Sequence, residues 1–253
     1  MSNTPAPIYW YVDPQAGSDP SGLEGLFSSS EACRFEAMKF ELRRKSFIAG
    51  RRVAKHVLMD CVPELRGCST AQMSIDNHES GAPYALVNDR ELPGVLSISH
   101  SGDAAAAVYT SDSSIRIGID LEAITPRAPS FLETYFTPSE LKWVSSAKEK
   151  DRALVSTLIW SAKEAVLKAL QTGLRVDTRE IEILADDSPV IDGLRGFGIS
   201  APMGWHWQGH WRILDNFVIT IAVGGPVLGC PVTLSWLGAP VPPAPVTTKS
   251  PSE

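Results

Sequence analysis

Cysteines, membrane-length hydrophobic runs and surplus positive charge are all scarce in this sequence of 253 residues. Its four cysteines, Cys33, Cys61, Cys68 and Cys230, show neither a CxxC pair nor zinc-ribbon spacing, so we expect reduced thiols in a cytoplasmic protein. No apolar run approaches the roughly 20 residues needed to cross a bilayer, and no basic segment followed by an apolar one opens the chain. We therefore expect neither membrane association nor a signal peptide.

The formal net charge of −6 argues against bulk binding to nucleic acid, although a local basic patch stays open. The hydrophobic fraction of 43% and the charged fraction of 21% are typical of globular proteins, and the length suits one large domain or two small ones. Residues 239–253 are rich in proline and lack large apolar side chains, so we expect a disordered tail there.

A pattern of helix followed by strands occurs twice along the chain. The first copy predicts, in order, a strand at 8–12, a helical segment from about Ser30 to Asp60, a loop-rich section at 63–94, and strands at 95–100 and 104–110. The second copy begins near residue 111. We therefore predict an α+β protein with two similar halves, at 1–110 and 111–238, followed by the tail.

In the second half, Thr137 and Glu140 form a capping-box sequence that predicts a helix start, with a proline at the first helical position. A longer helix is predicted from about Asp151 to Gln171, with Gly173 as its stop. The segment WHWQGHW, residues 205–211, is interpreted as aromatic strands, either packed or on the surface, with a turn at Gln208-Gly209, and not as a metal site.

The stretch IRIGIDLEAI, residues 115–124, places apolar residues on alternate positions. Asp120 and Glu122 project from the other face of this predicted strand, about 7 Å apart, and Gly118 leaves room beside them. Two interpretations stay open. The carboxylates belong either to a solvated outer face or to half of a site for a hard cation such as Mg²⁺, which binds carboxylates together with substrate phosphates.

The helix WSAKEAVLKAL, residues 160–170, offers a further carboxylate. Glu164 and Lys168 lie four residues apart on one face, with Lys163 adjacent. They form either a helix-stabilising ion pair or part of a phosphate site, with the glutamate on a metal and the lysine on phosphoryl oxygens.

Basic and hydrogen-bonding side chains occur earlier in the chain. Six cations lie within the thirteen residues from Arg43 to Lys55, either as a solvated helix face or as an anion-binding patch. In SISHSGD, residues 97–103, Ser99 and His100 end a predicted strand at a turn, where a histidine is either structural or able to donate to a phosphate.

Together these motifs resemble the 4′-phosphopantetheinyl transferases. The motifs that carry the resemblance are FIAGR at 47–51, SISHSGD at 97–103, GIDLE at 118–122, FTPSE at 136–140 and WSAKEAVLKA at 160–169. They occur in the order that the family uses and span roughly residues 40 to 170. The length and the two-part organisation are similar to the larger, pseudodimeric class that activates surfactin and enterobactin synthases.

The resemblance implies roles for individual residues. Mg²⁺ would be held by Asp120, Glu122 and Glu164. The 3′-phosphate of coenzyme A would lie near Arg43, Arg51, Ser99 and His100, and its pyrophosphate near Lys163 and Lys168. Glu164 would accept the proton of the attacking serine, Lys168 would neutralise the leaving phosphate, and Gly118 would keep the space for the pyrophosphate clear.

The resemblance further implies transfer of the phosphopantetheine arm of coenzyme A to a serine of an apo acyl or peptidyl carrier protein, with 3′,5′-ADP released. The expected context is synthesis of non-ribosomal peptides, polyketides or siderophores. The expected fold has two halves related by a pseudo-twofold axis, with the site in the cleft between them, and a monomer would suffice. The alternative is a non-catalytic subunit that binds coenzyme A or carrier proteins with the same fold.

Overall fold

A computed structural model describes residues 6–18, 23–185, 190, 193–202, 204–225 and 233–238 of the chain. The helices are α1 (Ser29–Glu36), α2 (Glu41–Cys61), α3 (Pro129–Tyr135), α4 (Pro138–Ser146) and α5 (Arg152–Leu170). The strands are β1 (Ile8–Asp13), β2 (Met73–Asn77), β3 (Pro83–Val87), β4 (Arg90–Glu91), β5 (Val95–Ser101), β6 (Ala104–Thr110), β7 (Arg116–Ala123), β8 (Glu182–Leu184), β9 (Arg195–Ser200), β10 (His206–Leu214), β11 (Phe217–Gly225) and β12 (Leu234–Trp236). None of the helices in these ranges combines the length and apolarity needed to cross a bilayer.

The predicted α+β architecture is confirmed, and the two halves share a strand order. The first sheet runs β12-β1-β6-β5 and the second runs β7-β11-β10-β9-β8. In each half the first strand pairs antiparallel with the last strand of a hairpin, as β1 does with β6 and β7 does with β11. The last described strand, β12, crosses to the first sheet and pairs parallel with β1. The segment 111–238 therefore contributes a strand to the first half, and the predicted tail at 239–253 lies outside the described residues.

Helices and sheets form layers that are separated by three apolar cores. One core lies between α2 and the first sheet, and another lies between α5 and the second sheet. The third lies between the sheets themselves, where the alternate apolar residues of β7 meet those of β1, namely Ile117, Ile119 and Leu121 with Ile8, Trp10 and Val12. Because the even-numbered side of β7 faces α5, both faces of this strand are covered. The solvated-face interpretation of IRIGIDLEAI is therefore wrong.

Local sequence signals explain the ends of several helices. Thr137 caps α4 and forms the predicted capping box with Glu140, and Ser28 forms the same box with Glu31 at the start of α1. Helix α5 ends at Leu170, close to the predicted end, but the residue that closes it is Gln171 and not Gly173, because Gln171 adopts the left-handed conformation with a φ of 57°. Its backbone N–H closes the helix by donating to Leu167 and Lys168.

Two segments were predicted incorrectly. Residues 63–94 contain a three-stranded sheet, β2-β3-β4, where loops were expected. The aromatic segment at 205–211 belongs to the unbroken strand β10, and no turn occurs at Gln208-Gly209. Gly209 is required inside this strand because a Cβ there would lie 2.3 Å from the ring of Phe197. The interpretation of Trp207 and Trp211 as packed aromatics is confirmed.

Gly118 has a structural reason that differs from the predicted one. A Cβ at this position would lie 2.0 Å from the carbonyl oxygen of Ala165 and 2.7 Å from the amide nitrogen of Ala169. Both atoms belong to the backbone of α5, so no side-chain movement could relieve the clash. Glycine at 118 therefore allows α5 to lie directly on β7, and the space is filled by the helix.

We predict that Gly118→Ala lowers the free energy of unfolding by about 3 kcal/mol, because the helix must move away from the strand. Urea denaturation measures the change. The matched control is Gly50→Ala in α2, where the new Cβ would meet only the side chain of Ile98 at 3.5 Å. Its stability should stay within about 1 kcal/mol of the wild type. Equal stability of the Gly118 variant and the wild type would contradict this account of the α5–β7 contact.

Candidate active site

The two halves meet where β5 lies beside β7, and serine hydroxyls join the strands. The backbone N–H groups of β7 donate to hydroxyls of β5 in three successive pairs, Ile119 to Ser97, Leu121 to Ser99 and Ala123 to Ser101, at 3.2, 3.2 and 3.4 Å. Two of these donors, the N–H groups of Ile119 and Leu121, would otherwise be buried without partners. We call this contact the serine seam, and it fixes the position of the first half against the carboxylates of β7.

Asp120 lies at the centre of the seam and is 4% exposed. Its Oδ1 accepts hydrogen bonds from the Ser99 hydroxyl at 2.9 Å and from the Lys168 ammonium at 2.7 Å. Its Oδ2 is buried and has no hydrogen-bond partner among the described residues. A buried carboxylate oxygen without a donor is costly, so this atom is available to a cation that approaches from the cleft.

Glu122 projects from the same face of β7, and a second cation holds it. Arg127 donates to its Oε2 at 3.1 Å, and the Trp160 indole also donates to the carboxylate. The guanidinium lies over the rings of Phe131 and Trp160, which restrict its position. Burial and the nearby Asp120 raise the pKa of Glu122, while Arg127 opposes the shift.

Glu164 comes from α5, which Gly118 allows to approach β7. Burial raises its pKa, and Asp120 and Glu122 add to the shift while Lys168 opposes it. The structure thus brings together the three predicted acidic residues. Lys168 forms its ion pair with Asp120, so it links α5 to β7.

A metal site is supported by the chemistry of these groups. In the part of the chain that the structure describes, no three His, Cys, Asp or Glu side chains, Asp120, Glu122 and Glu164 included, form a group placed to hold a metal ion by itself. Mg²⁺ does not require one, because it keeps several waters and commonly takes one or two carboxylates plus substrate phosphates. Oδ2 of Asp120 has no donor among the described residues, and burial and the neighbouring carboxylates raise the pKa values of Glu122 and Glu164, so a cation bound here would stabilise all three charged carboxylates. The residues present therefore fit Mg²⁺.

A cavity of about 430 Å³ lies on the first-half side of the seam. Its lining includes three arginines, Arg34, Arg43 and Arg51, together with His100. A second cavity of about 310 Å³ shares Gly81, Pro83 and Ile98 with the first and reaches Lys168 of α5. A cationic depression therefore lies beside the acidic cluster, and the two cavities together span both halves.

Two predicted residues have contacts that were not foreseen. Lys163 is fully buried away from the carboxylates of β7, where its ammonium pairs with Glu140 at 2.9 Å and donates to the carbonyls of Thr178 and Ile181. The structure does not bring it to the cleft. The hydroxyl of Ser99 is engaged in the seam and with Asp120.

Sequence reasoning missed Arg34 and Arg127. Arg34 lies on α1, outside the dense basic run that drew attention to α2, and it reaches the cavity because α1 packs beside β2. Arg127 follows β7 after a short loop, and its ion pair with Glu122 was not predicted. The one signal in the local sequence is an arginine that follows a pair of strand carboxylates.

Comparison with known proteins adds to this geometry. A profile described as the 4′-phosphopantetheinyl transferase superfamily matches residues 116–222, which include the acidic residues of β7 and α5. The 4′-phosphopantetheinyl transferase HetI of Nostoc sp. is 30% identical over 223 residues, covering 83% of this chain and 84% of the relative. The chain belongs to the 4′-phosphopantetheinyl transferase family.

Other relatives are more distant. The L-aminoadipate-semialdehyde dehydrogenase-phosphopantetheinyl transferase of Schizosaccharomyces pombe is 26% identical, covering 83% of this chain and 86% of that one. Among solved structures, a holo-(acyl-carrier-protein) synthase from Bacillus anthracis in complex with coenzyme A is 22% identical, covering 43% of this chain and 94% of that one. The TM-score between that structure and this one is 0.38.

We predict that Lys163→Met lowers the free energy of unfolding by about 3–5 kcal/mol, because it leaves Glu140 charged and buried without its partner. The double variant Lys163→Met with Glu140→Gln should lose less free energy of unfolding than the sum of the losses in the two single variants, since the residues interact directly. Urea denaturation of the wild type, the two single variants and the double variant measures this coupling. Additive effects would contradict a paired, structural lysine.

Proposed function

We propose that this protein transfers the 4′-phosphopantetheine arm of coenzyme A to a serine of an apo acyl or peptidyl carrier protein and releases 3′,5′-ADP. The observation that carries the proposal is the pairing of an acidic cluster with a cationic cavity across one seam. The cluster of Asp120, Glu122 and Glu164 suits a metal-bound pyrophosphate, and the cavity suits a further phosphate. Coenzyme A carries both groups on one molecule.

The cationic cavity is the proposed site of the 3′-phosphate. Arg34, Arg43 and Arg51 line it with His100, and arginines recognise phosphate oxygens by paired hydrogen bonds. Ser99 is adjacent along β5, but its hydroxyl already serves the seam, so its role is to fix Asp120. The second cavity, which reaches Lys168, is the proposed path of the nucleotide between the halves.

The proposed reaction places the carrier serine against the β-phosphorus of coenzyme A. The serine oxygen forms a new bond to phosphorus, the bond to the 3′,5′-ADP oxygen breaks, and the serine proton leaves. Glu164 is proposed to accept that proton, since burial and the neighbouring carboxylates raise its pKa and make it a better base. Lys168 stabilises negative charge on the phosphate oxygens.

Mg²⁺ is the proposed metal, with Asp120, Glu122 and Glu164 as its protein ligands. When bound, it would neutralise the pyrophosphate and the charge that develops on the leaving oxygen. Lys168 and Arg127 keep the carboxylates of β7 oriented towards the cleft through their ion pairs with Asp120 and Glu122.

The finer context is also a proposal. We infer that the carriers belong to non-ribosomal peptide, polyketide or siderophore synthesis, that the protein acts in the cytoplasm, and that it acts as a monomer. The alternative function is a non-catalytic subunit that binds coenzyme A or carriers. The retained Asp120, Glu122, Glu164 and Lys168 favour the enzyme, because a binding subunit needs no proton acceptor beside the phosphates.

We predict that Glu164→Gln and Asp120→Ala each abolish transfer, because one loses the proton acceptor and the other a metal ligand. The assay incubates the protein with coenzyme A, Mg²⁺ and an apo carrier, and mass spectrometry detects a carrier gain of one phosphopantetheine with 3′,5′-ADP released. Far-ultraviolet circular dichroism confirms that the variants fold.

The matched control is Glu64→Gln, which neutralises an exposed carboxylate outside the cleft and should retain wild-type transfer. Near-normal turnover in either cleft variant would contradict the assignment. No transfer by the wild type to several different carriers, with coenzyme A still bound, would favour the binding-subunit alternative.

A further inference from the structure

Each half contains a fully buried glutamate–lysine network built on the same plan. In the second half, the Glu140 carboxylate accepts the backbone N–H groups of Thr137 and Ile183, the latter at 2.8 Å, and pairs with Lys163. In the first half, the Glu31 carboxylate accepts the backbone N–H groups of Ser28 at 3.1 Å and Ile75 at 2.8 Å, and it pairs with Lys55 at 2.5 Å. Both glutamates and both lysines are at most 1% exposed.

The first-half network has an additional arm that reaches the cationic cavity. Oε1 of Glu31 lies 3.5 Å from Nε of Arg51, whose side chain is 13% exposed and stacks on the ring of Phe47. Arg51 therefore shares one carboxylate with Lys55. Glu31 and Phe47 restrict the position of the Arg51 guanidinium, while its remaining N–H donors stay near the cavity that Arg51 lines.

The peptide of Ile75 carries the same constraint to a second arginine. Its N–H donates to Glu31, and its carbonyl accepts from Arg51 at 3.0 Å and from Arg34 at 3.1 Å. Asp76 holds the other side of Arg34 at 2.8 Å. Glu31 thus fixes the point of β2 on which two of the three cavity arginines converge.

The second half has the same glutamate–lysine network but has no arginines at the positions equivalent to Arg34 and Arg51. Aligning Lys55 with Lys163 sets Arg51 against Ile159, and aligning Glu31 with Glu140 sets Arg34 against Trp143. Ile159 is buried in the apolar core around α5. A stabilising role alone therefore accounts for the glutamate of the second half, whereas that of the first half has acquired contacts that lead to the cavity.

We propose that Glu31 is a positioning residue for phosphate recognition, which holds Arg51 and the Ile75 carbonyl so that Arg34 and Arg51 face one phosphate group. Glu31 is buried and cannot touch the ligand itself. The inference rests on the proposed function, since it takes the 3′-phosphate of coenzyme A as the group in the cavity. It adds a determinant of selectivity for coenzyme A over 3′-dephospho-coenzyme A.

The test compares affinities for these two ligands by isothermal titration calorimetry in the presence of Mg²⁺. The quantity of interest is the dissociation constant of 3′-dephospho-coenzyme A divided by that of coenzyme A. A general loss of protein stability does not change this ratio. Glu31→Gln keeps the shape but removes the charge, and it should reduce the ratio about tenfold. Glu140→Gln, the matched control from the other half, should lower stability similarly and leave the ratio at the wild-type value.

A double-mutant cycle separates positioning from indirect damage. Arg51→Gln should also reduce the ratio, and adding Glu31→Gln to it should produce a smaller further loss than Glu31→Gln produces alone, because part of the effect of the glutamate passes through that arginine. If Glu31→Gln does not fold, Glu31→Asp replaces it, since that variant keeps the charge but withdraws it by one methylene. The same reduction in ratio is expected.

Three results would overturn the inference: an unchanged ratio in the folded Glu31 variant, an equal loss in Glu140→Gln, or losses from Glu31→Gln and Arg51→Gln that multiply in full. Failure of the proposed cavity assignment gives a different outcome. In that case the wild type itself would bind both ligands equally, and Arg51→Gln would change neither affinity.

Discussion

The contact between serine hydroxyls of β5 and backbone amides of β7 is the interaction on which the rest of the site depends. A hydroxyl can accept and donate at once, so Ser99 accepts from Leu121 and donates to Asp120 with the same oxygen. A carbonyl in its place could accept but could not orient the carboxylate. The serine seam therefore holds the two halves together and also orients Asp120 in the acidic cluster.

The strand order of the two halves explains why, among the described residues, the cleft lies beside β7 and not beside β1. The outer edge of β7 faces β5, whereas the equivalent edge of β1 is covered by β12, which pairs with it in parallel. The residues at equivalent helical positions have also diverged. Glu164 and Lys168 correspond to His56 and Asp60, so the first half lacks the carboxylate and ammonium arrangement of the second. The first half instead contributes arginines, and the two kinds of charge meet across the seam.

Local features of this fold could be predicted from sequence. The alternation in residues 115–124, the capping box at Thr137 and the periodicity of α5 each depend on neighbouring residues, and each was identified correctly. Long-range contacts could not be predicted in this way. Lys163 lies next to Glu164 in sequence, yet a difference of one position turns its side chain into the apolar side of α5, where the distant Glu140 and two backbone carbonyls stabilise its charge. Gly118 was recognised as special, but its reason required knowing which helix lies on β7.

The placement of the acidic residues was predicted better than that of the residues lining the cationic cavity, for a related reason. Asp120, Glu122 and Glu164 lie on two regular elements whose periodicity assigns their faces. The cationic cavity depends on Arg34, which is positioned by Ile75 and Asp76 some forty residues later in the chain. No spacing rule connects such residues before the small sheet of β2 to β4 is known.

The most direct test of this account is a crystal structure of the protein with coenzyme A and Mg²⁺ bound. In this complex we expect the metal between Asp120, Glu122, Glu164 and the pyrophosphate, with the 3′-phosphate against Arg34 and Arg51. A complex in which the nucleotide occupies another surface, or in which the metal lies away from the free oxygen of Asp120, would contradict this account.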